Sequence, residues 1–208
     1  MVRELLFALL IRPLIVLFIG VRKVGELRLP RGQFIIVSNH ASHVDTLVLL
    51  SLIPLRRLKE VRPVAAADYW TKNRIVYALV SFLFNILPIP RRPSLRDNPL
   101  RTMEKALDEG YSLVIYPEGT RSYGESLGPF KGGVAYLIER RPDLTILPVF
   151  ISNTWKVLPK GHLLPLPLFV EVAIGEPMRF SGKERREDIL NTLYRAVSDL
   201  KDRLMEGS

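Results

Sequence analysis

Residues 34–45 read FIIVSNHASHVD, and the apolar stretch TLVLLSLI follows at residues 46–53. The first five residues are typical of a buried strand, and the last stretch reads as an apolar helix, so the polar residues between them form a strand-to-helix turn. Five residues of continuous helix would set His40 and Asp45 about 140° apart around the helix axis. The two side chains therefore meet only if the chain bends before Ser42.

A helix cap supplies such a bend. Residues 42–45, SHVD, fit the S-x-x-D pattern of a capping box, in which Asp45 accepts a hydrogen bond from the Ser42 amide. If one carboxylate oxygen caps the helix, the other is free to orient the His40 ring. A cap and a catalytic His–Asp pair are thus compatible hypotheses for the same turn.

A metal site is a third hypothesis for this turn. His40, His43 and Asp45 supply metal-ligand side chains, but a complete site needs a further ligand, and His162 is the one remaining histidine of the chain. We favour the catalytic pair and expect no metal.

Apolar runs of strand length alternate with helix-like periods after the first 30 residues. The five runs lie at residues 34–38, 61–66, 112–116, 145–151 and 168–174. This alternation predicts an α/β domain with a central mixed or largely parallel sheet flanked by helices. We predict a single domain over residues 31–208, because the length suits one core and no linker divides it.

Two helices have readable ends. Asn98-Pro99 begins one helix and Gly110 ends it. The C-terminal helix is predicted to begin near Ser181, with Glu184 in capping position. Its core-facing stripe at helical spacing is Ile189, Leu193, Val197, Leu200 and Leu204.

The N-terminus is apolar but interrupted. Residues 5–21 read LLFALLIRPLIVLFIGV, broken by Arg12-Pro13 and shorter than the roughly 20 residues of a spanning helix. Arg22-Lys23 follows where a signal peptide would carry a cleavage site. We predict that residues 1–30 form a membrane-associating helical segment, interfacial or re-entrant; a core helix and a signal peptide are the alternatives.

The composition is both basic and apolar. The net charge is +9 with 48% hydrophobic residues, and the mean hydropathy is +0.14. Anionic membranes and nucleic acids both attract such a chain, but no nucleic-acid module is recognisable. We expect an anionic membrane surface as partner, and no nucleic acid. The chain has no cysteine, which excludes disulfides, thiolate metal ligands and a cysteinyl intermediate.

A second polar stretch, YPEGTRS at residues 116–122, directly follows the predicted strand SLVIY. Proline and glycine end the strand and place Glu118 and Arg121 at its carboxyl end, where α/β sheets bind ligands. The planar guanidinium of arginine suits a phosphate group. Alone, this stretch is also compatible with an ordinary turn.

A nucleophile elbow is a competing pattern nearby. Residues 124–128, GESLG, match G-x-S-x-G, and Asp143 and His162 follow in the order of a hydrolase triad. No strand is predicted directly before the serine, so we do not favour this interpretation.

Taken together, Asn39-His40-x4-Asp45 and Glu118-Gly119-Thr120-Arg121 resemble the glycerolipid acyltransferase family, which includes the 1-acylglycerol-3-phosphate acyltransferases. Three weaker blocks agree: Ile89-Pro90-Arg91, Phe130-Lys131-x-Gly133 and Leu147-Pro148-Val149. The likeness covers roughly residues 33 to 150. Pro90 stands where the family commonly has an acidic residue, and Gly132 stands where a basic residue is frequent. These two differences bear on which acceptor the protein uses.

The resemblance implies a membrane-associated acyltransferase, monotopic or peripheral, at the cytoplasmic face. It would move a fatty acyl group from acyl-CoA or acyl carrier protein to the hydroxyl of a lysophospholipid, with 1-acylglycerol-3-phosphate giving phosphatidic acid as the expected reaction. No cofactor is expected beyond the thioester donor. The alternatives are another lysolipid acceptor and a non-catalytic, lipid-binding peripheral membrane protein.

The resemblance also implies roles for individual residues. His40 is the expected general base, and Asp45 orients it. The expected substrate-binding residues are Arg91, Glu118, Gly119, Thr120, Arg121 and Lys131. The three cations would bind the acceptor phosphate, and Glu118 would accept from a glycerol hydroxyl or fix Arg121. Backbone amides near Gly119 would donate to a developing oxyanion, and Thr120 is expected to be mainly structural. The apolar residues 76–87 are expected to form an acyl channel or plain core.

Overall fold

The predicted apolar runs pair into one sheet in the computed structural model, which describes residues 2–67, 74–90, 98–124, 126–157, 166 and 168–206. Its strands are β1 Val21–Val24, β2 Phe34–Ser38, β3 Val61–Ala66, β4 Leu87–Ile89, β5 Ser112–Ile115, β6 Thr145–Ser152 and β7 Val170–Ile174. Their order across the sheet is β1-β7-β6-β2-β5-β3-β4. The strands β1 and β4 were not predicted.

The sheet is largely parallel. Neighbouring strands run parallel except β6 and β7, which pair antiparallel. The prediction of an α/β domain with a mixed or largely parallel sheet is therefore confirmed. Because β5, β2 and β6 are adjacent and parallel, the turns that follow them meet at one edge of the sheet.

Helices cover both faces of the sheet. They are α1 Val2–Leu6, α2 Arg12–Phe18, α3 Val44–Leu52, α4 Leu55–Leu58, α5 Arg74–Phe84, α6 Pro99–Asp108, α7 Gly133–Arg140, α8 Thr154–Val157 and α9 Arg186–Glu206. On β2, Ile35 and Val37 pack towards α6, α7 and α9. Phe34 and Ile36 pack on the opposite face, towards the N-terminal helices and α3. Burial on both faces explains why β2 reads as a continuous apolar run.

Helix α6 follows the prediction at both ends. The Asn98 side chain accepts from the Leu100 amide at 2.9 Å, and Gly110 has φ +90°, a conformation that favours glycine. The C-terminal helix instead begins at Arg186, five residues after the predicted start. Glu184 does accept from the Ser181 amide at 2.9 Å, but Gly182 at φ +79° keeps that turn out of the helix. The predicted core stripe of α9 is buried.

The N-terminal segment combines helix with strand. A π-helical turn, Phe7–Ile11, separates α1 from α2 just before Pro13, whose missing N–H interrupts the regular hydrogen-bond ladder. The last part of the predicted segment 1–30 forms β1, which pairs with β7. Within the described residues, no helix is both long enough and apolar enough to cross a bilayer.

The apolar stretch 76–87 forms most of α5 and leads into β4. Leu79 and Phe82 are 56% and 49% exposed, so this stretch is not plain core. A role in an acyl channel stays a prediction.

Candidate active site

The turn after β2 is anchored to the neighbouring strand β6. The Asn39 side chain donates to the Ile151 carbonyl and accepts from the Ile151 amide, both at 2.8 Å. It thus takes the place of one more residue in the parallel ladder, although the backbone has already left the sheet. Asn39 is 2% exposed, and this pair of bonds fixes where the turn begins.

His40 and Asp45 meet in this turn. His40 Nδ1 lies 2.8 Å from Asp45 Oδ2, and the same oxygen accepts from the amides of Ala41 at 2.7 Å and Ser42 at 2.9 Å. An oxygen that accepts two backbone N–H groups has no proton to give, so Nδ1 is the donor and Nε2 is left as an acceptor. The predicted use of separate oxygens for cap and ring is wrong, because one oxygen serves both.

The second carboxylate oxygen of Asp45 has a distant partner. Thr154, the first residue of α8, donates its hydroxyl to Asp45 Oδ1, and both side chains are fully buried. No sequence pattern pointed to Thr154, since 109 residues separate the two positions. The feature that could have identified Thr154 is its place just after β6, at the same sheet edge as residues 39–45, which we term the histidine turn.

An aromatic ring covers one face of His40. The Tyr116 ring stacks on it with centroids 4.2 Å apart and an interplanar angle of 19°. The Tyr116 hydroxyl shares a 2.9 Å hydrogen bond with Thr46 on α3. Burial, and then the charge of Asp45, raise the pKa of Tyr116 well above its usual value, so the phenol stays neutral. Tyr116 belongs to the YPEGTRS stretch, but nothing in the sequence indicates its contact with His40.

His43 is held neutral beside this pair. Its ring centroid lies 6.5 Å from that of His40. Burial lowers the pKa of His43 to about 4, and the nearby charges of Arg121 and His40 act in the same direction. In the part of the chain that the structure describes, no group of three or more His, Cys, Asp or Glu side chains is placed to hold a metal ion. His162 lies outside the described residues.

Glu118 ties the two motif loops together. Its Oε1 accepts from the His40 amide and its Oε2 from the Gly128 amide, both at 2.9 Å. Ser122 adds a second tie, donating its amide at 2.8 Å and its hydroxyl at 3.0 Å to the His40 carbonyl. Burial raises the pKa of Glu118, while the bond to His40 opposes that rise. Glu118 thus bonds to backbone amides of two loops, whereas its predicted contact was with substrate or with Arg121.

The EGTR loop begins with a tight turn. The Gly119 amide itself donates to the Tyr116 carbonyl at 3.0 Å, and the role of amides near Gly119 as oxyanion donors stays a prediction. Gly119 has φ +66°, and a Cβ there would lie 2.7 Å from Lys131 Nζ. The positive φ of this turn therefore favours glycine, and a larger residue would also displace the lysine side chain that lies across it.

The predicted cationic residues converge only in part. Lys131 lies over Gly119 of the EGTR loop, and Arg121 is close enough to His43 to lower its pKa, so Arg121 borders the histidine turn. Thr120 is exposed on the same loop. Arg91 lies outside the described residues, and its predicted role in phosphate binding stays a prediction.

The competing GESLG pattern falls in an irregular stretch. Ser126 is exposed and donates its hydroxyl to the Tyr123 carbonyl at 2.6 Å, and the described residues before it, 121–124, form no strand. Glu125 lies outside the described residues.

Comparison with known proteins adds three findings. The family model described as Acyltransferase matches residues 20–152, more than half of the chain. The chloroplastic 1-acyl-sn-glycerol-3-phosphate acyltransferase of Brassica napus is 29% identical over 126 residues, which is 60% of this chain and 34% of that protein. The 1-acyl-sn-glycerol-3-phosphate acyltransferase of Saccharomyces cerevisiae is 29% identical over 146 residues, 67% of this chain and 45% of that protein.

A solved structure shares the fold. The crystal structure of the 1-acyl-sn-glycerophosphate acyltransferase PlsC from Thermotoga maritima matches with a TM-score of 0.74 and 23% identity, covering 97% of this chain and 78% of that one. The chain spans less than half the length of the Brassica and yeast relatives.

Proposed function

Because the chain belongs to the acyltransferase family, we propose that it transfers a fatty acyl group from a thioester, acyl-CoA or acyl carrier protein, to the hydroxyl of a lysophospholipid. The proposed acceptor is 1-acylglycerol-3-phosphate, the substrate class named for the relatives from Brassica and yeast, and the product is phosphatidic acid. The observation that carries the proposal is the 2.8 Å contact of His40 Nδ1 with Asp45 Oδ2, next to the EGTR loop.

The proposed reaction needs one base and no covalent enzyme intermediate. His40 Nε2 takes the proton of the acceptor hydroxyl while that oxygen attacks the thioester carbonyl carbon. The tetrahedral intermediate then breaks its C–S bond, and the thiol leaves with the proton returned by His40. Asp45 stabilises the imidazolium that forms between the two steps. A positioned base of this kind contributes about 10²- to 10⁴-fold, and holding both substrates in register contributes further.

Arg121 and Lys131 are the proposed partners of the acceptor phosphate. Arg121 borders the histidine turn, Lys131 lies over the neighbouring EGTR loop, and a guanidinium binds phosphate with two parallel hydrogen bonds. Phosphate bound here would orient the acceptor with its hydroxyl towards His40. Arg91 is proposed as a third contact on the family resemblance alone.

Membrane contact is the second part of the proposal. The N-terminal helices bury Phe7, Ile15 and Ile19 against the core but expose apolar residues on their outer side. This N-terminal apolar face consists of Leu5, Leu9, Leu10, Leu14, Leu17 and Phe18. Exposed apolar surface of this extent marks an interaction site, and a net charge of +9 suits an anionic bilayer.

Helix α5 carries a second exposed apolar surface. Ile75, Leu79 and Phe82 are exposed at helical spacing and form what we term the α5 apolar stripe. Phe7 and Phe84 join the two elements through an edge-to-face contact with centroids 6.1 Å apart. We propose that both surfaces contact the same leaflet, at the cytoplasmic face, so that the site receives its acceptor from the membrane.

An acceptor-dependent assay tests the proposed reaction. The purified full chain is mixed with acyl-CoA and with lipid vesicles that contain one lysophospholipid from a panel. Free thiol and diacyl product are then measured. Thiol release that requires 1-acylglycerol-3-phosphate and matches product formation is expected. Membrane binding without turnover on any acceptor, with acyl-CoA or acyl carrier protein as donor, would instead favour a non-catalytic lipid-binding protein.

A further inference from the structure

We propose that Thr154 is a positioning residue for the His–Asp pair, an inference that rests on the proposed acyl transfer. Thr154 donates its hydroxyl to Asp45 Oδ1, while Asp45 Oδ2 faces His40 Nδ1. Thr154 and Asp45 have no exposed surface, so the threonine touches neither solvent nor substrate. Its effect on the reaction would therefore pass through Asp45.

The other hydrogen bonds of Asp45 come from its own turn. Oδ2 accepts from the His40 ring and from the amides of Ala41 and Ser42, all within five residues of Asp45. These groups move together with the turn and do not fix it relative to the sheet. Thr154 approaches Oδ1 from α8, on the other side of the carboxylate. It holds the carboxylate plane from outside the turn and prevents the two oxygens from exchanging places.

Residues at and just after the carboxyl end of β6 thus form hydrogen bonds with the histidine turn at two points. Ile151 pairs with the Asn39 side chain where the turn begins, and Thr154, three residues later, bonds Asp45 where α3 begins. The first contact fixes the start of the turn through the Asn39 side chain, whereas the second holds the carboxylate that orients His40. This division predicts that loss of the Thr154 hydroxyl affects catalysis more than folding.

The test substitution is Thr154→Val, which removes the hydroxyl and keeps the shape. The matched control is Thr145→Val, the same change at a buried threonine on the opposite end of β6, where the hydroxyl accepts from Arg179 at 3.1 Å. A hydrogen bond to a charged group corresponds to about a 10- to 100-fold effect. We expect kcat to fall by that factor in Thr154→Val, with both KM values unchanged. Thr154→Ser should restore kcat to within about threefold of wild type.

A second readout does not require turnover. The proton that His40 Nδ1 donates to Asp45 gives a low-field proton NMR signal, which is assigned by its disappearance in His40→Gln. The signal should shift or vanish in Thr154→Val and persist in Thr154→Ser and Thr145→Val. If Thr154→Val does not fold, Thr154→Ala removes the same hydroxyl and takes its place.

The outcomes separate this inference from the proposed function. An unchanged signal and unchanged kcat in folded Thr154→Val would overturn the positioning role, even if the wild type is an active acyltransferase. Loss of both in Thr154→Ser would assign the effect to the threonine methyl group and would also overturn it. A wild type that never transfers an acyl group, but whose signal responds as expected, refutes the proposed function and leaves the positioning contact standing.

Discussion

At the scale of single residues, His40 and His43 differ in their surroundings although both lie in one turn. His40 has a carboxylate partner and keeps 17% of its side chain exposed. His43 is held neutral by burial and by nearby positive charge. A base must be able to gain a proton at neutral pH, and the lowered pKa of His43 opposes that role for His43.

This contrast predicts unequal effects of substitution. His40→Ala should lower kcat by about two to four orders of magnitude, because a positioned base is lost. Asp45→Asn should also be severe, whereas His43→Ala should be milder, and a chelator should have no effect. Steady-state rates and thermal melting of the three variants check this. Equal loss from both histidine variants, with chelator inactivation that zinc reverses, would restore the metal-site hypothesis.

The depressed pKa of His43 predicts how stability depends on pH. The unfolded chain binds a proton at His43 below about pH 6.5, but the folded protein excludes it down to about pH 4. The stabilisation from neutral His43 is therefore fully present above pH 6.5 and is lost as pH falls towards 4. After allowance for solvent screening, we expect this to contribute about 2 kcal/mol.

Urea unfolding at pH 7, 5.5 and 4.5 tests that contribution. The free energy of unfolding should fall less steeply with decreasing pH in His43→Gln than in wild type. Parallel curves for the two proteins would contradict the predicted burial of a neutral His43.

At the scale of elements, Glu118 connects the loop after β5 to the turn after β2. A glutamine at this position has a single acceptor oxygen, so either the His40 or the Gly128 amide would face an NH₂ group. Glu118→Gln should therefore cost about 1–3 kcal/mol of stability and lower kcat through displacement of His40.

Urea unfolding and steady-state kinetics of Glu118→Gln check this, with Glu139→Gln as the control. Glu139 makes a surface ion pair with Arg186, whose loss should cost less than about 1 kcal/mol. If Glu118 contacted substrate instead, stability would be unchanged and the acceptor KM would rise.

At the scale of the whole molecule, the N-terminal apolar face belongs to helices on one side of the sheet. The N-terminal helices pack on the same core face as α3, whereas α9 packs on the other. A deletion of the N-terminal segment would remove buried Phe7, Ile15 and Ile19 together with β1, and would damage the fold itself. Exposed positions provide the cleaner test of membrane contact.

Serine substitutions at these positions should weaken binding to anionic vesicles. We expect Leu9→Ser and Leu17→Ser in the N-terminal apolar face, and Ile75→Ser and Leu79→Ser in the α5 apolar stripe, each to cost about 1–2 kcal/mol of membrane binding. Met205→Ser, an exposed apolar position on α9, is the control and should bind like wild type. Co-sedimentation with anionic vesicles measures the binding of the variants and of the control. Equal binding by all of them would refute the proposal that these residues contact the membrane.

The short edge strands are the part of the sheet that the sequence did not predict. The long buried strands and α6 were predictable because apolar periodicity and Pro or Gly signals are local properties of the chain. β1 consists of only Val21–Val24 and includes two charged residues. Its strand conformation depends on pairing with β7, almost 150 residues away, and no local pattern encodes that pairing.

The candidate site divides in the same way. The sequence alone determined that His40 and Asp45 share a strand-to-helix turn, because five residues and a capping pattern bring them within reach. By contrast, the bond of Thr154 to the second oxygen of Asp45, the stacking of Tyr116 on His40, and the bonds of Glu118 to both loops depend on the folded arrangement of the sheet. These contacts join positions 76 to 109 residues apart, and they exist because the order of β5, β2 and β6 in the sheet brings the carboxyl ends of three strands to one edge.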